Sequence, residues 1–214
     1  FATLYPGILQ TAVPKTSSVK SYGDLKGKNF SPGKTVFSGN VTVERLVNLY
    51  GISYNDIKSA GGTIHRVGFK DSVALMKDGH VEVFTALTNV PNASFIALDF
   101  QPGIRFLPVE PPMMKKFVTQ NPGFFATTIP GGAYKGVPND TPTLATATVL
   151  IASKTLDNET AYKLAASLWN NHAEFVKVNK TWNNVKLEDA LLGAAIPVHD
   201  GAMKFYAEKG VKKK

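Results

Sequence analysis

The sequence predicts an α/β fold with a mostly parallel sheet, and two observations lead there. Short runs of β-branched and apolar residues alternate with stretches whose apolar residues recur every three or four positions. The chain also has 214 residues, 43% of them hydrophobic, which suits one or two globular domains.

Taken in order, residues 8–13 and 28–32 read as strands. A helix follows over 41–50, where Val43, Leu46, Val47 and Tyr50 keep helical spacing. Then come a strand over 63–69, a short helix over 72–77 and a strand over 81–87. A strand over 104–109 precedes a helix carrying Met113, Met114, Phe117 and Val118. The segment TIPGGAYKGVPNDTP, 128–142, is dense in Pro, Gly and Asn and reads as an irregular connection. Residues 143–153, TLATATVLIAS, are apolar and β-branched, the mark of a buried strand. Asp157 suits the N-cap of a long helix, with Ala161, Leu164, Ala165, Leu168, His172 and Phe175 along one face. A last helix over 201–208 stops at Gly210. The break at 124–142 separates two α/β parts, and the second has one convincing strand, too few for a sheet of its own.

Composition removes several functions. Cysteine is absent, which excludes disulfides, thiolate metal sites and cysteine nucleophiles. No run approaches the ~20 apolar residues that span a membrane. The chain opens FATLYP, without Met or a basic segment leading into an apolar one, and reads as a processed protein or a piece of a longer one. The formal charge is +8, dispersed except for Lys212, Lys213 and Lys214, which read as a solvated tail. Three arginines and no basic helix interleaved with aromatics argue against a nucleic-acid partner. A general pull on anionic ligands is the better inference. The four histidines show no metal-ligand spacing, and His172, on an apolar helix face, reads as a hydrogen-bonded core residue. No G-x-S-x-G elbow and no carboxylate pair in an apolar stretch is present. The expectation is therefore a non-enzyme, with no catalytic residue, metal or cofactor.

The stretch GKNFSPGKTVFSG, 27–39, tests one specific alternative. A nucleotide-binding P-loop needs four residues between its first glycine and Gly-Lys-Thr. Five separate Gly27 from Gly33 here, Pro32 removes a backbone donor, and the helical pattern starts near Asn40 or Val41 instead of Lys34. What survives is a strand, a glycine-containing loop and a helix start, which offers free N–H groups and a positive dipole end to an anion. In open α/β sheets ligands sit beyond the carboxyl ends of strands. Two loops qualify, 33–40 and TALTNVPN at 85–92. Their hydroxyls (Thr35, Ser38, Thr85, Thr88), amides (Asn40, Asn89) and cation (Lys34) suit an amino acid or carboxylate, although Ser, Thr and Asn at such places also serve as turns and caps.

Several stretches then match a known family. SVKSYGDLKGKNFSPG followed by a helix and YGISYNDIK, then MKDGHVEVFTALTNVPN, TIPGGAYKG and IPVHDGAMKFYAEKG, run in order along almost the whole chain. The last is the most specific, with Ile196, Pro197, His199, Gly201, Ala202, Lys204, Phe205 and Tyr206 filling its pattern. Together they resemble the TAXI-type solute-binding proteins of TRAP transporters. The resemblance implies a type II periplasmic-binding-protein fold, with one complete α/β lobe at 8–141 and a partial lobe from 1–7 and 142–214. Hinge crossings fall near 4–7 and 140–143, and the family's N-terminal part is missing. It further implies an extracytoplasmic protein that takes a glutamate-like or glutamine-like amino acid, or an organic acid, and passes it to TRAP membrane permease subunits. Carried over by position, the ligand-binding residues are Lys34, Thr35, Ser38, Gly39, Asn40, Thr88 and Asn89. Lys34 and Phe37 are bulkier than the family's usual occupants. A fragment that no longer binds, and an enzyme on the same two-lobed fold, are the alternatives.

Overall fold

The structure, a computed structural model, describes residues 1–194 and 196–212. Lys213 and Lys214 of the expected tail lie outside the described residues. The chain divides into two compact units. The larger comprises Ile8–Asn121 with Phe125–Ala145, and the smaller comprises Phe1–Gly7, Pro122–Phe124 and the chain from Thr146 on.

The larger unit is built on most of a six-stranded sheet, whose first, fifth and sixth strands each have one end in the smaller unit. Its strands are β1 (Ala2–Pro14), β2 (Phe30–Ser31), β3 (Val83–Thr88), β4 (Ile104–Phe106), β5 (Phe124–Ile129) and β6 (Thr141–Leu150). The order is β2-β3-β1-β6-β5, with β4 also on β1. The α/β class is as the alternation predicts, but the expected mostly parallel sheet is corrected to a mixed one. β2 and β3 are parallel, with Phe30 opposite Val83, because α1 (Ser38–Leu49), α2 (Tyr54–Ser59) and α3 (Phe69–Lys77) form the crossover that parallel pairing needs. β1 runs antiparallel to β3 and to β4. It reaches β2 through a single 3-10 turn, Tyr22–Leu25, and strand composition carries no record of direction.

Four element readings change. The expected strand at 63–69 reduces to one bridge, Ile64 to Phe30. The chain instead caps α3 at Gly68 and turns Phe69 onto Phe37 and Phe84, ring centroids 5.4 and 5.9 Å apart. α2 escaped the periodicity reading because it has six residues, yet its capping box is plain. Asp56 accepts from the Ser53 N–H at 2.8 Å, and Ser53 accepts from the Asp56 N–H. α4 (Ala93–Phe100) is too uniformly apolar to show a helical stripe. β5 takes the first residues of the expected irregular connection. α5 (Pro111–Gln120) begins with proline, as helix starts favour. At the core, Phe84 stacks on Phe95 at 5.1 Å, and Phe106 and Tyr134 close around Phe95 at 5.4 and 6.3 Å.

The smaller unit holds α6 (Asn158–Asn170), α7 (His172–Val178) and α8 (Asp200–Glu208). Asp157 caps α6, accepting from the Thr160 N–H at 2.8 Å. The long helical face is corrected, because α6 ends at Asn171, whose amide donates back to the Ser167 carbonyl at 2.8 Å. Ala161 and Ala165 are buried while Leu164 is 48% exposed. His172 is half-buried rather than a core residue. Its Nε2 lies 2.9 Å from the Trp182 carbonyl, and its ring stacks on Trp169. The IPVHDGA segment turns out to be a helix cap. His199 Nδ1 accepts from the Gly201 N–H at 3.2 Å, so its Nε2 carries the proton and donates to the Leu156 carbonyl at 2.9 Å.

Two caps make stability pH-dependent. The Asp56 carboxyl is lowered by the Ser53 hydroxyl and N–H, and the Asp157 carboxyl by hydrogen bonds from Thr160. A carboxyl with a lowered folded pKa contributes fully above its unfolded value, and that contribution is lost as pH falls through the folded value. The melting temperature is expected to decline below about pH 4. In an Asp56→Asn, Asp157→Asn variant, circular dichroism should show part of that decline removed, since asparagine still caps but does not titrate.

Candidate ligand-binding site

Because β2 and β3 are parallel, the loop after β2 and the turn after β3 leave the same edge of the sheet. Gly33 opens the first loop at φ 86°, a conformation side chains disfavour. α1 begins at Ser38, two residues before the expected start. Its cap, Phe37, makes no side-chain bond to the helix end. Asn40 and Val41 donate to the Phe37 carbonyl, which leaves the Ser38 and Gly39 N–H groups open at the positive end of the helix.

Those groups border an open cleft of about 490 Å³. Ser38 and Gly39 line it with Pro32, Val36 and Phe37 of the loop, Phe69 of α3, and Ala86 and Leu87 of β3. Gly39 brings α1 close to β3, since a Cβ there would stand 3.0 Å from the Leu87 nitrogen, a tight approach. The cleft therefore has two aromatic walls and one polar corner. It can hold a small anion by its head and press an apolar group against Phe37 and Phe69.

The expected site residues are brought to this edge in different ways. Ser38 and Gly39 line the cleft. Lys34 and Thr35 are exposed in the loop before it. Asn40 is buried, its carbonyl and amide oxygens facing the Tyr54 hydroxyl at 3.2 and 3.4 Å. Burial, and then Glu44, push that tyrosine's pKa up, so it stays a donor. Thr85, expected in the second loop, belongs to β3 and is fully buried against Thr11 Oγ1 at 2.9 Å. Thr88 and Asn89 are half-buried at the strand end. Asn92 Nδ2 donates to Thr88 Oγ1 at 3.2 Å, and Asn89 Nδ2 to the Pro91 carbonyl at 2.7 Å.

Sequence reasoning missed the aromatic walls and the support beneath the turn. Phe69 was hidden inside the misread strand. Gln10 lies on β1, fully buried, in a run over 9–13 where every residue is buried, so no alternation in the sequence singled it out. Among the described residues no group of histidines and carboxylates could hold a metal, and no helix is long and apolar enough to cross a membrane.

Fold and site define a mixed α/β protein with a preformed cleft at one sheet edge. The chain belongs to the NMT1-like family, whose model matches residues 1–210. The solved structures it matches include the periplasmic aliphatic sulphonate binding protein SsuA from Escherichia coli, at 14% identity, TM-score 0.40, 85% of this chain and 47% of that one. Another is the alkanesulfonate-binding protein SsuA from Xanthomonas axonopodis pv. citri bound to MOPS, at 15% identity and TM-score 0.44, with 99% and 70% coverage. A third is an ancestral arginine-binding protein bound to arginine, at 16% identity and TM-score 0.40, with 85% and 59% coverage. The chain thus spans about half the length of the Escherichia coli structure.

Proposed function

We propose that this chain is part of an extracytoplasmic solute-binding protein, not an enzyme, that captures a small organic acid or amino acid and passes it to a membrane permease of the TRAP type. The larger and smaller units are its two lobes, the latter partial. Lys34, Thr35, Ser38, Gly39, Thr88 and Asn89 make up the larger lobe's side of the site, and Asn40, buried on the Tyr54 hydroxyl, supports it from beneath. The observation that carries the reading is the open start of α1 above an apolar cleft: a carboxylate accepts from Ser38 and Gly39, and Lys34 draws it in. The ordered run of TAXI-like segments, and of IPVHDGAMKFYAEKG in particular, supports the transporter class.

The cleft also ranks ligands. Apart from the Ser38–Gly39 corner its lining is apolar, so an acid with a hydrocarbon tail fits better than glutamate, whose second carboxylate would have to reach out of the lining to Lys34 or Thr35 in the exposed loop. Each methylene buried contributes about 0.8 kcal/mol, roughly fourfold in affinity. Isothermal titration with butanoate, pentanoate and L-glutamate should show pentanoate binding about fourfold tighter than butanoate, and both tighter than glutamate. Phe69→Ala should erase the tail-length dependence. Absence of saturable heat with all three would defeat the binding reading, and tighter glutamate binding would defeat the ranking.

A further inference from the structure

The TIPGGAYKG segment has no part in the cleft, yet the structure ties it to the ligand-facing turn. Tyr134, 2% exposed, donates its hydroxyl proton to Gln10 Oε1 and accepts from the Asn92 N–H at 3.0 Å. Gln10 Nε2 donates to the Asn89 carbonyl at 3.1 Å and faces the Thr88 carbonyl at 3.4 Å. These partners fix the orientation of the amide. Flipped, it would set an oxygen against two carbonyls. Asn92 closes the circuit through Thr88 Oγ1 and also caps α4, accepting from the Ser94 N–H at 3.0 Å. One buried amide and one phenol thus hold both ends of the 88–92 turn. Burial raises the phenol to a pKa of about 12, so it keeps its proton in ordinary buffers.

The loop that delivers Tyr134 is itself pinned. The Gly131 N–H donates to Asp140 Oδ1 at 2.7 Å, and the Gly136 N–H to Asp99 Oδ2 at 2.9 Å. Gly132 and Val137 join across it at 2.9 Å. Every group named belongs to the larger unit.

We propose that Gln10 and Tyr134 are positioning residues that set the Thr88–Asn89 edge of the site, with the 130–140 loop as their clamp. The assignment rests on the ligand reading above for its purpose, and on this hydrogen-bond circuit for its existence. It presets the turn before any ligand arrives, so that binding does not carry the cost of ordering it.

Hydrogen exchange on the whole chain without ligand tests the circuit. Tyr134→Phe and Gln10→Leu should each speed exchange at Asn92 and Ser94 at least tenfold, leaving α1 and α5 within twofold. Gln10 makes no direct bond to Asn92 and reaches it through Tyr134 and through the Thr88–Asn89 turn, so its effect there reports coupling. The double variant should speed exchange at Asn92 by less than the product of the two single effects, as residues of one circuit do. Should Gln10→Leu fail to fold, Gly131→Ala serves in its place. Its Cβ would stand 2.3 Å from the Pro138 carbonyl oxygen, a backbone atom, dislodging the clamp and again exposing Asn92. Acceleration spread evenly over the larger unit, or unchanged exchange at Asn92, would overturn the proposal. Titration with pentanoate completes the test, with a loss of at least tenfold in affinity expected for Tyr134→Phe. Equal binding by wild type and variant refutes the positioning role while the binding reading stands. Binding by neither refutes the binding reading, and the exchange pattern then decides the clamp alone.

Discussion

Replacing Phe95 with alanine is expected to destabilise the larger unit by about 3–5 kcal/mol, the range for deleting a fully buried phenylalanine. Phe95 is the ring that the others share. It stacks on Phe84 and meets Phe106 and Tyr134 edge-on, and it is fully buried beside Leu98 and Ile104. Truncation leaves a void among rigid rings that cannot rotate into it, so the upper half of the range applies. A domain is stable by about 5–15 kcal/mol in total, so the variant should unfold at much lower urea. Both tryptophans, Trp169 and Trp182, lie in the smaller unit. Circular dichroism should therefore show the loss, while tryptophan fluorescence tells whether it spreads. A change under about 1 kcal/mol, the scale of an ordinary substitution, would show that the cluster collapses onto the gap.

Gly201→Ala is the second large effect, and two terms compete in it. Alanine in a helix interior is favoured over glycine by about 1 kcal/mol. Against that, a Cβ at 201 would sit 2.2 Å from the Asn158 carbonyl oxygen and 2.9 Å from Ala161 Cβ. Neither neighbour is a flexible side-chain end, so α6 and α8 must separate. Overpacking of this kind costs about 1–3 kcal/mol, and separation also strains the Trp169 to Tyr206 hydrogen bond at 3.1 Å. The clash wins, and a net loss of up to about 2 kcal/mol is expected once the helix gain is subtracted. Trp169 fluorescence during urea denaturation reads it directly. A more stable variant would mean that the two helices have slack.

The same residue shows how a motif can be legible while its role is not. IPVHDGA stood out in the sequence, and the structure gives its residues local work: His199 caps α8, and Gly201 lets α8 approach α6. The candidate site divides along a similar line. Ser38 and Gly39 were readable, because a glycine-containing loop before a helix start is a local pattern. Asn40, two residues on, faces Tyr54 instead, since a single helical turn swings successive side chains through about 100°. Phe69 could not be placed, because the 63–69 segment has strand-like residues and only the packing of Phe37 and Phe84 decides that it turns into a helix.

The sequence by itself determined the α/β class, the cap at Asp157, and the place of most helices and strands to within a few residues. These depend on side chains reaching their own backbone within three or four residues. Only the tertiary structure decided that β1 runs against β3, that Gln10 and Tyr134 meet across 124 positions, and that two phenylalanines wall the cleft. Each of those needs residues far apart in the chain to compete for the same buried volume and the same hydrogen bonds, and no stretch of sequence records the outcome of that competition.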